Sequence, residues 1–252
     1  MPGPVHTERE ALPEGELLRV TLDRPDARNA MDTEMLAGLA EVLDEAAGDG
    51  TLRGVLLTGA GGHFSAGADV REDTGDGRRR MELFTVVYEL LTNLPVPTAA
   101  AIEGYAVGGG AEAAAACDLR AAGEGATFRF PGARYGIPVG VARTVGLVGL
   151  GTAKDWVLST RDVSAQEAHA AGLVQRLTPD GAAEAAARTW LTEVATRDVA
   201  TVRLLKQLFN GAAGGLRDRV AFENDALRSQ AETGRLPDLE TDLPRTVRPR
   251  RW

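Results

Sequence analysis

Glycine is concentrated in three stretches of this chain, residues 59–67, 104–110 and 132–151. No other feature limits the fold as much. A glycine lets the backbone turn at positive φ and lets another segment or a ligand approach closely. The first stretch follows the apolar run 54–58 (GVLLT), and the second follows Thr98–Ile102. Short apolar runs that end in glycine turns read as buried strands feeding helices. Aromatic residues make up only 5% of the 252 residues, so the core must rest on Ala, Val and Leu and on close backbone contacts.

The remaining pattern fits that reading. Residues 17–22 (LLRVTL) read as a strand ended by Asp23-Arg24-Pro25-Asp26, where proline fixes φ. Met35, Leu36, Leu39, Val42 and Leu43 recur at helical spacing, with Asp32 or Thr33 as the cap. Strand, helix and strand in this order predict a βαβ element. Residues 71–80 read as a solvated loop or helix start, and 81–91 as a helix stopped by Pro95 and Pro97. Gly108 to Gly110 open an alanine-rich helix over 111–117, and 118–121 leave it as a strand. Residues 128–143 read as a connection, 153–158 as a helix, and Leu173-Val174 as a final edge strand. Ser164 and Glu167 have capping-box spacing. Three further helices are expected over 181–195, 201–209 and 216–228, then an extended proline-containing tail. The chain divides into an α/β core, 1–180, and a helical C-terminal module, 181–252.

Charge and composition exclude several functions. The net charge is −8, which argues against a nucleic-acid binder whose contact surface must be cationic. The single Cys117 rules out an intrachain disulfide framework and reads as a small packing residue. Three dispersed histidines specify no metal site, so none is expected. His63, His169 and His6 read as surface, helix-face and terminal residues. The first ten residues show no secretion leader, and no apolar run reaches membrane-spanning length. A cytoplasmic protein is expected.

Neither of the first two glycine stretches has the spacing of a phosphate loop or a dinucleotide fingerprint. Exposed amides offer a different chemistry. A helix N-terminus presents unpaired N–H groups and a field that favours negative charge. Two such amides from separate loops can hold one carbonyl oxygen and stabilise an enolate or a tetrahedral oxyanion. Ordinary loop glycines closing βα turns remain the other reading of the same residues.

Several motifs occur together in a fixed order. They are Arg24-Pro25 with Arg28-Asn29-Ala30, Leu57-Thr58-Gly59, and Phe64-Ser65-Ala66-Gly67-Ala68-Asp69. Then come Ile102-Glu103-Gly104-Tyr105 through Ala111-Glu112, Cys117-Asp118, Gly136-Ile137-Pro138, and Ser164-Ala165-Gln166-Glu167-Ala168 with Gly172-Leu173-Val174. In these segments the chain resembles the crotonase, or enoyl-CoA hydratase/isomerase, superfamily over roughly residues 15–230. The resemblance implies a spiral of repeated ββα units with C-terminal helices that assemble trimers or dimers of trimers. It implies an acyl-CoA thioester substrate, with coenzyme A entering as part of that substrate and no prosthetic group. It matches Ala68 and Gly109 to two oxyanion-hole amides. It places Arg24, Arg28, Ala66, Asp69 and Val70 along the coenzyme A path.

Glu112 is the strongest side-chain candidate. It lies three residues after Gly109, close to one helical turn, so carboxyl and amide can face one site. Burial among alanines would raise its pKa toward the range useful for acid/base work. The classical hydratases of the family carry a second glutamate, and the matching position here is Gly132. Gly140 matches a place where other members carry Asp. The resemblance therefore implies an acyl-CoA lyase or isomerase with Glu112 as its single acid/base. Decarboxylation, a specialised biosynthetic conversion, and a noncatalytic acyl-CoA-binding protein are the alternatives. Arg71 and Arg78 to Arg80 are further candidates for phosphate contacts, with solvation the reading for at least two of them. Arg134 reads as a surface or subunit contact and Tyr135 as packing. Asp69 also reads as a brace for its loop.

Overall fold

Leu17 and Leu18 point to opposite faces of one sheet, and helices cover both faces. The computed structural model describes residues 3–12, 14–72, 77–212 and 216–232. The sheet begins with β1 (Val5–Leu12), antiparallel to β2 (Gly15–Leu22). It continues in parallel through β3 (Leu52–Gly59), β4 (Thr98–Ile102), β6 (Leu119–Gly123) and β9 (Arg176–Thr178). A second sheet has the order β5 (Tyr105–Val107), β7 (Thr127–Arg129), β8 (Val163–Ser164).

The two sheets are joined by a repeated unit. β4 turns through Glu103-Gly104 into β5, which leads to α3 (Gly109–Ala116). β6 turns through three residues into β7, and α4 (Thr144–Ser159) follows. β4 pairs with β6 and β5 pairs with β7, both in parallel. Ser65 extends the second sheet by a parallel bridge to Ala106, between β3 and α2 (Arg78–Asn93). These are successive turns of a ββα spiral.

Alternation within the strands decides what each face buries. Leu18, Val20, Leu22, Val55, Leu57, Ala100 and Ile102 pack toward α1 (Thr33–Gly48), α2 and α3. Leu17, Leu56, Ala99, Ala101, Leu119 and Ala121 pack against Ala183, Ala187 and Leu191 of α6 (Ala183–Ala195). A Cβ on Gly54 would stand 2.9 Å from Leu191, so glycine there lets α6 lie close. The Arg19–Glu184 ion pair at 2.9 Å adds a polar edge to this contact. The first helix of the C-terminal segment thus lies on the sheet itself. α7 (Val199–Ala212) is tied down by Lys206 Nζ, which donates to Asp118 Oδ2 at 2.7 Å and to the Val96 carbonyl at 2.9 Å. α8 (Leu216–Glu232) follows. No described helix is long and apolar enough to cross a membrane.

Caps fall where the side chains predict. Asp32 accepts from the Met35 amide at 2.9 Å, and Ser164 accepts from the Glu167 amide at 3.2 Å, opening α5 (Ala165–Ala170). Three local expectations need correction. His6, read as a terminal residue, lies within β1 and pairs with Asp23 at 2.8 Å. Leu173-Val174 is not a strand. Arg120 Nε donates to the Leu173 carbonyl and the His169 ring meets the Val174 carbonyl, so these acceptors serve side chains instead of a ladder. The final strand is β9, three residues further on. The helix expected from 153 begins at Thr144 and runs through a kink at Gly149, whose φ is +78°. Asp73, Asp76 and the tail with Arg245 to Arg251 lie outside the described residues.

Candidate active site

The site begins with a loop held in an unusual backbone. Arg28 and Asn29 both have positive φ, 52° and 54°. Asn29 is buried, and asparagine tolerates this region better than most residues. Its side chain accepts from the Arg24 amide at 2.9 Å and donates to the Ala60 and His63 carbonyls at 2.9 and 2.6 Å. One side chain therefore locks the loop after β2 to the glycine-rich loop after β3. Ser65 Oγ donates to the Asn29 carbonyl at 2.7 Å and accepts from the Gly67 amide at 3.1 Å.

This bracing orients Ala68. Met31 donates to the Gly67 carbonyl at 2.7 Å and accepts from the Asp69 amide at 2.9 Å, forming a parallel bridge to Ala68. In such a bridge the central residue's own N–H points away from its partner. The Ala68 amide therefore faces the other side. Gly67, at φ +86°, presses that segment against the start of α3. A Cβ on Gly67 would stand 2.4 Å from the Val107 carbonyl oxygen and 3.1 Å from the Gly109 nitrogen. Gly109 is the first residue of α3, so its N–H has no partner within the helix. Neither the Ala68 nor the Gly109 amide has a hydrogen-bond acceptor among the described residues. The fold thus brings together two free donors from separate turns of the spiral.

Glu112 lies on the same helix, 3% exposed. Neither carboxyl oxygen has a hydrogen-bond partner among the described residues. Arg143 Nη1 stands 3.5 Å from Glu112 Oε2, an ion pair without good hydrogen-bond geometry. Burial first, and the charge of Glu223 second, push the Glu112 carboxyl up to about 7, against the opposing pull of Arg143. Arg143 is 6% exposed, and its guanidinium lies 4.9 Å from the centre of the Tyr88 ring. Tyr88 Oη donates to the Gly109 carbonyl at 3.3 Å, and burial holds this phenol well above its usual range, so it stays neutral.

Gly132 is buried, and a Cβ there would stand 2.5 Å from the Ile137 carbonyl oxygen and 2.8 Å from Val139. The backbone around it leaves no space for a carboxylate side chain. Gly140, at φ +99°, lies against the acid: a Cβ there would be 3.6 Å from Glu112 Oε1. The cation beside Glu112 is Arg143, whereas Arg134 is exposed and Tyr135 half-buried on a short turn.

The residues proposed for the coenzyme path lie on the braced loops. Arg24 donates to Asp69 Oδ2 at 3.0 Å and pairs with Asp32 at 3.0 Å, so its charge is already engaged. Asp69 is buried and also accepts from Arg71, which makes it a brace. Arg28 is half-buried, with its guanidinium 5.4 Å from the Tyr105 ring centre. The His63 ring stacks on the Tyr105 ring, their centroids 5.1 Å apart. Ala66 and Val70 are half-buried beside them. Arg80 is not a solvated residue: it is buried and donates to the Asp69 carbonyl at 2.9 Å. The Cys117 thiol is buried and pushed up to about 12 by that burial. Among the described residues no three His, Cys, Asp or Glu side chains converge as metal ligands.

Sequence reasoning did not find Tyr88, Arg143 or Glu223. Arg143 had a signal: it is the only charged residue between Arg134 and Lys154. Glu223 had none, because only the tertiary path of α8 brings it here.

Comparison with known proteins agrees with the fold. The profile of the family "Enoyl-CoA hydratase/isomerase" matches residues 13–233. A short-chain-enoyl-CoA hydratase of Clostridium acetobutylicum is 34% identical over 222 residues, covering 84% of this chain and 85% of that protein. An enoyl-CoA hydratase/isomerase structure from Mycobacterium paratuberculosis superposes with a TM-score of 0.83 at 25% identity, covering 98% of both chains. A monofunctional enoyl CoA isomerase from M. smegmatis gives a TM-score of 0.72 at 30% identity, covering 84% of this chain and 94% of that one.

Proposed function

The chain belongs to the enoyl-CoA hydratase/isomerase family, and from that membership we propose that it moves a proton on an acyl-CoA thioester with one carboxyl group. The observation that carries this reading is the pair of acceptor-free amides, Ala68 and Gly109, drawn together by Gly67 one helical turn from Glu112. A thioester oxygen held by both amides gains negative charge as a proton leaves the acyl chain. Fixed N–H dipoles already aimed at that oxygen stabilise the enolate without having to reorient.

Glu112 then takes or returns the proton. A carboxyl pushed to about 7 is present in both forms at neutral pH, so it serves as acid and as base. Two carboxylates can grip and orient a water for addition to a double bond. Gly132 has no space for the second one. Proton transfer along the acyl chain is therefore favoured over water addition in this site. Arg24, Arg28, Ala66, Asp69 and Val70 would line the coenzyme A path, with Asp69 acting through Arg24. The chemistry needs no prosthetic group. A cytoplasmic homotrimer or dimer of trimers fits the family. Leu204, Leu205, Leu208 and Phe209 give α7 an exposed apolar strip suited to a second copy.

The test is a panel of enoyl-CoA and malonyl-type CoA thioesters turned over in deuterated water. Deuterium entering an acyl position together with a shifted double bond supports the single-carboxyl reading. Clean hydration at normal family rates, or decarboxylation without double-bond movement, overturns it. Tight acyl-CoA binding with no turnover and no exchange would instead show a noncatalytic binding protein.

A further inference from the structure

Two buried arginines of this chain are held in opposite ways. Arg120 is 2% exposed, and every nitrogen of its guanidinium has an acceptor. Nε donates to the Leu173 carbonyl at 2.5 Å, Nη1 to the Ala114 and Cys117 carbonyls at 3.2 and 2.6 Å, and Nη2 to the Asp118 carbonyl and Gln175 Oε1 at 3.2 and 2.9 Å. That is the usual condition of a buried cation. Arg143 is 6% exposed and makes no well-formed hydrogen bond among the described residues. Its Nε is fully enclosed without an acceptor, and its ion pair with Glu112 Oε2 stands open at 3.5 Å. Both Glu112 oxygens lack a hydrogen-bond partner as well. A guanidinium carries five donors in one plane. Here they are left over beside the acid.

Packing, not hydrogen bonding, fixes this guanidinium. It lies 4.9 Å from the centre of the Tyr88 ring. The loop that leads to it is clamped by α8: Glu223 Oε2 accepts from the Val141 and Ala142 amides at 2.7 and 3.1 Å, and Arg219 Nε donates to the Ala142 carbonyl at 3.1 Å. The charged groups gathered here are therefore two cations, Arg143 and Arg219, and two carboxyls, Glu112 and Glu223. Glu223 and Arg219 hold loop backbone, whereas Arg143 holds none. The planar fork matches a planar acceptor with two oxygens, a carboxylate, through parallel N–H···O bonds. An aliphatic acyl chain in the same place would bury the cation against methylenes with its donors unpaired, which is strongly unfavourable. A second anion next to Glu112 is tolerable because that carboxyl, held at about 7, readily takes a proton.

We propose that Arg143 receives the far end of the acyl group, and that the substrate is an acyl-CoA whose acyl chain ends in a carboxylate. This rests on the reading above, in which Ala68 and Gly109 hold the thioester oxygen. With one end at those amides and the other at Arg143, the carbons between run past Glu112, one turn beyond Gly109. The acyl group is thus a short dicarboxylic acid joined to coenzyme A at one end.

The test measures binding and needs no turnover. Calorimetry gives the affinity of the intact protein for malonyl-, succinyl- and glutaryl-CoA, each beside the thioester in which an isopropyl group replaces the carboxylate. Mass spectrometry confirms that each thioester is intact afterwards. The isopropyl group has nearly the same shape and no charge. At least one carboxylate member should bind at least about tenfold tighter than its partner, and Arg143→Gln should erase that preference while moving the uncharged member by less than about threefold. A preference absent from the wild type, or one that survives in Arg143→Gln, overturns the proposal. Equal losses for both members would mark Arg143 as no more than a counter-ion of Glu112, and overturn it too. If Arg143→Gln does not fold, a crystal structure of the wild type with the tightest carboxylate member decides. Carboxylate oxygens within about 3.2 Å of the Arg143 nitrogens support the proposal, and a carboxylate held elsewhere refutes it. Failure of proton transfer in the substrate panel would leave this preference intact, and a missing preference would leave proton transfer intact.

Discussion

Replacing Glu112 with Gln should stabilise the protein at alkaline pH while removing its turnover. The carboxyl has an ordinary value of 4.5 in an unfolded chain and is held at about 7 in the folded one. Between these values the folded state binds a proton that the unfolded state has released. Stability from this group is therefore fully present below 4.5 and is lost as pH rises through 7. The gap corresponds to about 3 kcal/mol. For a chain of this size each kcal/mol moves Tm by about 2–4 °C, so the wild type should fall behind the variant by about 6–12 °C between pH 4.5 and pH 8. The glutamine stays neutral throughout and keeps nearly the same volume. The assay is thermal unfolding of both proteins across that window, with the difference between the curves reporting Glu112 together with the charges that act on it, Glu223 and Arg143. Acyl-CoA turnover should fall by about 10²–10⁴-fold, the usual contribution of one acid/base group. Parallel Tm curves would refute the argument, because they would mean that Glu112 is ionised in the fold at neutral pH.

Four further outcomes are expected. Gly132→Glu should not create a hydratase; it should cost about 1–3 kcal/mol or more, read by urea unfolding, because its Cβ would strike the Ile137 carbonyl. Gly67→Ala, at φ +86° and against the Val107 carbonyl, should separate Ala68 from Gly109 and lower kcat far more than it weakens acyl-CoA binding, measured by calorimetry and steady-state rates. Leu191→Ala should cost about 2–5 kcal/mol in chemical denaturation, since it empties the α6 side of the sheet while leaving the site intact. If α7 carries the proposed contact with a second copy, replacing Leu205 and Phe209 together with Ser should give monomers in light scattering where the unaltered chain gives trimers or hexamers, because these side chains are exposed in the single chain; an unchanged mass would refute that contact.

The sequence revealed the strands and helices wherever apolar period and caps agreed, as in β2, α1 and β4. It missed β1, whose half-exposed residues alternate without an apolar run. It misplaced the last strand because Leu173 and Val174 look like strand residues, yet their carbonyls are claimed by Arg120 and His169. The family resemblance matched Ala68 and Gly109 to the two amides; the glycine spacing alone left ordinary loop turns as an open reading, since it does not say which N–H lacks an acceptor. Glu112 was legible from its spacing: it is one turn from Gly109. Its surroundings were not. Arg143 arrives through a turn whose direction depends on two glycines, and Glu223 arrives on a helix more than a hundred residues away. A pairing of that kind is settled by how α8 crosses the start of α4, which no local pattern records.

The most direct check is a crystal structure with acetoacetyl-CoA bound. The thioester oxygen should sit about 2.7–3.1 Å from both the Ala68 and Gly109 nitrogens, with the Glu112 carboxyl facing the acyl carbons. An oxygen held elsewhere, with either amide turned toward solvent or another acceptor, would contradict the account.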